Sequence, residues 1–310
     1  MNGDHDMTPL KTRLGRAVRQ NGLYWRYVAN ARPWLEYRLS RRTSMTPIQE
    51  SIVNDLRQNG IAITTGRALF GDSALVDELI REVNVLERTM KTEIEEARQR
   101  KDAGGFKTFL IQLLGPCPVL NPQSIFVRIA VAPEVLGVAN GYFGMLTRLR
   151  FYNVWLNFAS TAPARYSQLW HRDPEDRYIL KMFVYLTDVD EQAGPLFYAP
   201  GTHGYGRIKS EPKLFREEGT TALRADDGSM SAVVDNTKWV KAVGPKGTIV
   251  FIDTRGYHKG GLARCHDRIA YNCMFTSQGS ACNDFFERRS LSVPNSDGAL
   301  SFALGVSHHT

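Results

Sequence analysis

Two kinds of hydrophobic spacing divide the chain. In residues 72–100, Leu75, Val76, Leu79, Ile80, Val83, Val85 and Leu86 recur close to the helical period with charges between them, which predicts one long surface helix ended by Gly104-Gly105. Before it, 47–58 (TPIQESIVNDLR with Thr46 in front) opens with a helix-start signal, Thr46-Pro47 followed by Glu50. Asn59-Gly60 breaks this helix, and Ile61-Ala62-Ile63 reads as a short strand. After about residue 124 the apolar residues come instead in short runs, punctuated by Gly, Pro and Asp. These runs are 149–158, 165–170, 178–186, 195–198, 238–243, 247–252 and 268–276. Helices first and many short strands afterwards predict a mainly β protein, a jelly-roll core backed by N-terminal helices. Residues 204–246 form a long polar connection, and a stretch of that length in a compact domain predicts a functional loop, here a candidate lid.

Composition narrows this picture. A chain of 310 residues, 43% of them hydrophobic, fits one large domain with extensions. No run approaches the ~20 uninterrupted apolar residues of a membrane span. The four cysteines form no C-x-x-C pair and no secretory segment precedes them, so reduced thiols in a cytoplasmic protein are expected. The formal charge of +7 is concentrated in part before residue 36, where Lys11, Arg13, Arg16, Arg19, Arg26 and Arg32 meet no acid after Asp6. We read residues 1–45 as a basic helical extension with a solvated charged face. Tyr24, Trp25, Tyr27 and Trp34 pack it on a body spanning 46–310. A presequence is disfavoured by Asp4 and Asp6, and no nucleic-acid motif accompanies the basic balance.

Chemistry concentrates in two short stretches. In YSQLWHRD, His171 and Asp173 are two apart, which on a strand turns both side chains to one face. After the apolar run GTIVFI comes DTRGYHKGG, where His258 follows a strand end in a glycine-rich turn. Two histidines and a carboxylate make a facial triad that leaves three adjacent sites of an octahedral Fe(II) open, two for a 2-oxo acid and one for dioxygen. A dicarboxylate co-substrate such as 2-oxoglutarate also needs a cation. Arg268, ten residues after His258 and at the head of RIAYNCMFT, is preferred to Arg264 in the loop, because a strand preorganises the guanidinium.

The run HRDPEDRYILKMFVYLTDVDEQAGPLFYAPGTHGYG, with IVFIDTRGYHKGGLARCHDRIAYNCMF, resembles the phytanoyl-CoA dioxygenase family. It carries the family's H-x-D, its Gly194-Pro195-Leu196 and Pro200-Gly201-Thr202-His203 segments, a distal histidine and an arginine about ten residues on. The resemblance covers residues 150–277 strongly and 50–120 in outline. It implies a double-stranded β-helix and an Fe(II)- and 2-oxoglutarate-dependent oxygenase, a hydroxylase of a small molecule such as an acyl-type substrate, and the Lys and Arg residues of the 204–246 loop add the expectation of an anionic one. It further implies iron on His171, Asp173 and His258 and co-substrate on Arg268, with Gln168 as a further polar contact. The retained carboxylate of Asp173 favours hydroxylation over halogenation. Gly260 stands where many members place a hydroxyl side chain, so that contact must come from elsewhere or be absent. The alternatives are a non-catalytic, metal-holding jelly-roll protein and a cupin-type isomerase or hydrolase.

Several residues have a plainer reading beside the functional one. Lys181, interrupting an apolar strand, is expected to snorkel on the outer face. His203 is expected to cap a loop and His266 to be exposed. Asp253 and Arg255 flank His258 and are expected to orient its ring. Tyr152, Trp155, Tyr166 and Trp170 are expected in the core, with one or two shaping a cleft.

Overall fold

The computed structural model describes residues 21–40, 45–103, 107–216, 222–289 and 298–306. Alternation along the strands builds two facing sheets. The larger is antiparallel throughout, in the order β1 (Ile61–Thr65), β9 (Thr248–Asp253), β4 (Leu180–Tyr185), β11 (Arg268–Thr276), β3 (Arg148–Asn157) and β2 (Leu110–Gln112). The smaller runs β10 (His258–Gly260), β5 (Leu196–Tyr198), β8 (Val240–Ala242), and the ribbon of β6 (Phe215–Arg216) and β7 (Leu223–Arg224) lies beside it. The protein is mainly β with N-terminal helices, a jelly roll of the double-stranded β-helix type.

The register assigns a face to every strand position. Leu180, Met182 and Val184 point outward with Ile249, Phe251, Tyr271, Cys273 and Leu156, and pack against Leu56, Leu79, Val83 and Val135 of the covering helices. The opposite parity points between the sheets. There Tyr185, Val250, Ile252 and Ala270 meet Leu196, Tyr198 and Ala242 of the small sheet. Strand β11 is buried at all nine positions because helices cover one of its faces and the small sheet the other.

The helix Pro47–Asn59 begins in a capping box in which Gln49, rather than Glu50, is the reciprocal partner of Thr46. Residues 72–100 form two helices, Ala74–Thr89 and Lys91–Gln99, instead of one; the chain breaks at Met90. The expected stop at Gly104-Gly105 lies outside the described residues. The stretch 125–143 has the length and apolar composition of a membrane span, yet 67% of it is buried inside the body, and it bends ahead of Pro133. The described part of the basic extension packs on the body. Trp25 is buried against Tyr178 and donates through Nε1 to Asp176 at 2.8 Å, while Tyr27 and Tyr24 stay exposed. Lys11, Arg13, Arg16 and Arg19 lie outside the described residues.

Gly60 closes the helix at φ +82°, and a Cβ there would stand 2.2 Å from the Tyr198 hydroxyl and 2.7 Å from His203 Nδ1. Gly60→Ala is therefore expected to lower stability by about 2–4 kcal/mol, combining left-handed strain with overpacking, as read by urea denaturation. An unchanged midpoint would mean that this turn relaxes freely.

Candidate metal and co-substrate site

The stretch expected as a strand over 165–170 is a 3-10 turn, Tyr166–Gln168, with Tyr166 in the left-handed region at φ 53°. Regular pairing starts only after it. Trp170 bridges Ala225, His171 exchanges both backbone hydrogen bonds with His258, and the Asp173 amide donates to the Thr254 carbonyl. The convergence of His171 and Asp173 thus comes from an extended stretch laid against 254–258, not from a sheet strand. Gln168 turns its side chain to its own turn, where Oε1 accepts from the Arg165 amide at 3.3 Å.

His171, Asp173 and His258 offer one ligand atom each within 4.8 Å of one another. Asp173 Oδ1 lies 3.8 Å from His171 Nε2, and Oδ2 lies 3.9 Å from His258 Nε2. Neighbouring donors around an ion bound at ~2.1 Å stand about 3 Å apart, so a contraction of no more than about 2 Å completes the set. Both rings are held for this. The Nδ1 atoms face the carbonyls of Leu169 at 2.8 Å and Gly256 at 3.0 Å. A carbonyl only accepts, so Nδ1 carries the proton and Nε2 presents its lone pair. Burial, and then the neighbouring His258, holds His171 well below the usual imidazole range, and burial also lowers His258. Both rings therefore stay neutral, as metal ligation requires. Burial works against the Asp173 carboxylate, but the Lys181 ammonium, by its charge and its hydrogen bond, outweighs it and holds the pKa low.

Lys181 is not on the outer face. Its Nζ donates to Asp173 Oδ2 at 2.6 Å. The register pairs Lys181 with Ile252 and Met274, which places it on the inward parity together with Phe183 and Tyr185. This is the main site residue that the sequence reading misplaced. Its ammonium engages one carboxylate oxygen and leaves the other for a metal.

The residues flanking His258 act differently from expectation. Arg255 Nη1 donates to the Asp173 carbonyl at 2.7 Å and so braces the other ligand strand. Asp253 is fully buried. It accepts from the Tyr142 hydroxyl at 2.7 Å and from the amides of Arg255 and Ile179, which fixes the turn instead of the ring. Next to His258, Lys259 sits among Trp170, Phe197 and Trp239 and pairs with Asp227, clamping β10 to the 225–239 segment. Residues 204–246 are accordingly structured in part, by β6, β7, a helix Asp227–Ser231 and β8. His203 caps a loop as expected, with Nε2 at 3.1 Å from the Arg57 carbonyl, and His266 is exposed. Tyr152 and Trp170 are core residues, whereas Trp155 is only half-buried and faces inward.

Burial pushes the Asp253 carboxyl up to about 6. Between its unfolded value near 4 and this folded value the native state holds a proton that the unfolded chain has lost. The stabilisation is complete below pH 4 and is lost as pH rises through 6. Asp253→Asn removes this titration, and the Tyr142 hydroxyl can accept where it formerly donated. Relative to wild type, the variant should gain up to about 3 kcal/mol between pH 4 and pH 7 in chemical denaturation. Parallel pH profiles for the two proteins would rule this out.

Arg268 heads β11 on the inward parity, paired with Asn157, and is 9% exposed. Nη1 donates to the Gly194 carbonyl and Nη2 to Asn157 Oδ1 at 3.3 Å; Nε is buried with no partner. Among the described residues no carboxylate pairs with it, and burial lowers its pKa. Two further buried atoms without partners, Trp155 Nε1 and Asn272 Oδ1, lie on the same parity. A desolvated guanidinium facing unpaired polar atoms suits a bound carboxylate. Gly260 helps to make room. A Cβ there would meet only Ser167 O at 3.6 Å and Arg268 Nη2 at 3.9 Å, so no side chain fills the space beside the guanidinium. Arg264 instead donates to the carbonyls of Ser160 and Ala162 in the loops.

Comparison with known proteins bears on the fold. Among solved structures, the chain is similar to EctD from S. alaskensis with bound Fe, with 16% identity over 81% of this chain and 83% of that one and a TM-score of 0.50. It is likewise similar to the non-heme monooxygenase ThoJ in its apo form, with 17% identity over 81% and 92% of the two chains and a TM-score of 0.50. At these identities the likeness speaks for the fold. No curated protein matches the sequence. The family model for phytanoyl-CoA dioxygenase matches residues 149–268, a span that opens in β3 and ends on Arg268. That segment, which holds His171, Asp173, His258 and Arg268 together, is the part of the chain that is similar to the phytanoyl-CoA dioxygenase family.

Proposed function

We propose that the protein is an Fe(II)- and 2-oxoglutarate-dependent oxygenase that hydroxylates a small molecule and releases succinate and carbon dioxide. The observation that carries this reading is a buried His-Asp-His cluster together with a buried guanidinium that has no carboxylate partner, both served by the space between the two sheets. Neighbours of the same fold support it: one of them holds Fe.

In this reading His171 and His258 ligate through Nε2, and Asp173 through the oxygen that Lys181 leaves available. Arg268 seats the distal carboxylate of the co-substrate. Bound iron with 2-oxoglutarate supplies oxidation of an unactivated C–H bond by dioxygen. The chain's own contribution is positional. The carbonyls of Leu169 and Gly256 fix the two rings, Arg255 braces the Asp173 backbone, and Lys181 keeps the carboxylate charged. The apolar residues Val250, Ile252 and Ala270 exclude water between the sheets. Trp155 and Asn272 offer a donor and an acceptor along the same face. With Gly260 in place of a hydroxyl residue, we assign the missing co-substrate contact to these two.

The test is succinate release under air with Fe(II), 2-oxoglutarate and a library of small molecules. Succinate formed above the substrate-free rate with at least one compound, matched by oxygen consumed, is the expected result. Strictly substrate-independent behaviour with no metal bound would favour the non-catalytic jelly-roll alternative.

A further inference from the structure

Exposed apolar side chains are unevenly spread over the protein. Among the described residues, six of the fourteen large ones stand within residues 23–39: Leu23, Tyr24, Tyr27, Val28, Leu35 and Leu39. Leu39 and Leu23 are the most exposed of all, at 75% and 70%. The inner side of this stretch is anchored to the body. Trp25 donates to Asp176 at 2.8 Å, and the Pro33 carbonyl accepts from the Leu146 amide at 3.2 Å. The buried Asn30 side chain donates to the Trp25 carbonyl at 2.8 Å and accepts from the Gly279 amide at 2.7 Å. Residues four apart share one side of a helix. Leu23 with Tyr27, Tyr24 with Val28, and Leu35 with Leu39 are such pairs, and all point away from the anchor. Tyr27 meets Trp34 edge-on at 5.1 Å, so the two helical stretches adjoin. Apolar side chains grouped in this way and held outward mark an interaction surface.

Positive charge gathers on the same part of the chain. Between Asp6 and Glu50 nine Lys and Arg residues accompany one acid, Glu36, while the rest of the chain is close to neutral. Glu36 is taken up by Arg32 at 2.6 Å. Arg26 and Arg38 lie over the rings of Trp25 and Trp34, at 5.9 and 5.8 Å from their centres, so guanidinium groups stand among the aromatic side chains.

We infer that the outer side of residues 22–39 is a docking surface for an anionic lipid bilayer. Leucine and valine side chains enter the acyl boundary, tyrosine rings sit at headgroup level, and arginines meet the charged headgroups. Two other occupants suit the surface less. A second copy of the chain would bring two basic faces together, which like charge opposes. A nucleic acid would engage the arginines but leave Leu23, Val28, Leu35 and Leu39 in water. The inference does not depend on the oxygenase reading. It adds a place to it, because Asp176, which holds Trp25, lies three residues beyond Asp173, so the docked stretch is fixed to the segment that carries this ligand.

The test is sedimentation of the full chain with vesicles at ~0.1 M salt. The vesicles consist of phosphatidylcholine alone or with about one part in three of phosphatidylserine. Saturable binding to the anionic vesicles is expected, at least about tenfold tighter than to the neutral ones and weaker as salt rises. Leu23→Ser combined with Leu39→Ser should weaken it at least about tenfold, because two apolar side chains no longer enter the bilayer. Arg38→Gln should weaken it about fivefold, the typical worth of one cation near an anionic surface. Val85→Ser and Lys246→Gln, an apolar and a basic residue exposed elsewhere, should leave binding unchanged. Circular dichroism and thermal melting establish that the variants are folded. No binding by wild type, equal binding to both kinds of vesicle, or equal binding by all variants overturns the inference. A duplex oligonucleotide bound more tightly than the anionic vesicles overturns it in favour of a nucleic acid. Self-association in the absence of vesicles that the two leucine substitutions abolish overturns it in favour of a second copy.

Discussion

His258→Ala is expected to abolish succinate formation, by more than about a hundredfold, while the protein stays folded. Outer partners of metal ligands typically contribute ten- to a hundredfold, so removing a ligand costs more than that. The remaining pair, His171 and Asp173, offers too few donors to hold a ferrous ion against water. The fold should tolerate the change because β10 is secured independently. His258 exchanges its backbone bonds with His171, and Lys259 is clamped among Trp170, Phe197 and Trp239. Asp173→Ala should be equally inactive and additionally less stable, since it strands the buried ammonium of Lys181. Iron content after anaerobic desalting, alongside succinate yield, checks both. An active, iron-replete variant would contradict the ligand assignment.

Arg268→Met is expected to raise the 2-oxoglutarate concentration needed for half-maximal turnover by about thirtyfold or more. Breaking a buried, hydrogen-bonded charge pair typically costs about 2–5 kcal/mol, and each ~1.4 kcal/mol is tenfold in affinity. Metal affinity without co-substrate should change little, because none of the three ligands touches the guanidinium. Arg268→Lys keeps the charge but not the planar fork, so it should recover only part of the loss. Arg264→Met, on the loop, should leave the co-substrate dependence unchanged. Equal effects of the Arg268 and Arg264 substitutions would show that the anchor lies elsewhere.

The strands carrying the site were legible because sheet parity is a strict period of two. The runs 149–158, 178–186, 247–252 and 268–276 appear as β3, β4, β9 and β11 within a residue or two at most ends. The motif spacing likewise singled out His171, Asp173 and His258, whose donor atoms the fold brings within 4.8 Å of one another, and the buried Arg268. Other features depend on partners remote in sequence. Lys181 shares parity with Phe183 and Tyr185, and that alone placed it inward, but the tendency of lysine to snorkel pointed outward until Asp173 came into contact. The 165–170 run is apolar enough for a strand, yet a left-handed Tyr166 and a side-chain cap by Gln168 make it a turn. A left-handed non-glycine residue leaves no mark in the sequence. The break at Met90 carries no glycine or proline to announce it. The 204–246 connection is tied down by Trp170 and Lys259, contacts that no local pattern encodes.

One ferrous ion and one dicarboxylate are expected to share the space between His171, Asp173, His258 and Arg268. Anaerobic titration with Fe(II) and 2-oxoglutarate, followed by visible absorption, tests it most directly. A weak band that grows only when both are present, saturates at one iron per chain and vanishes in His258→Ala is the predicted result. A spectrum that stays flat in wild type, or a band that survives in His258→Ala, would contradict it.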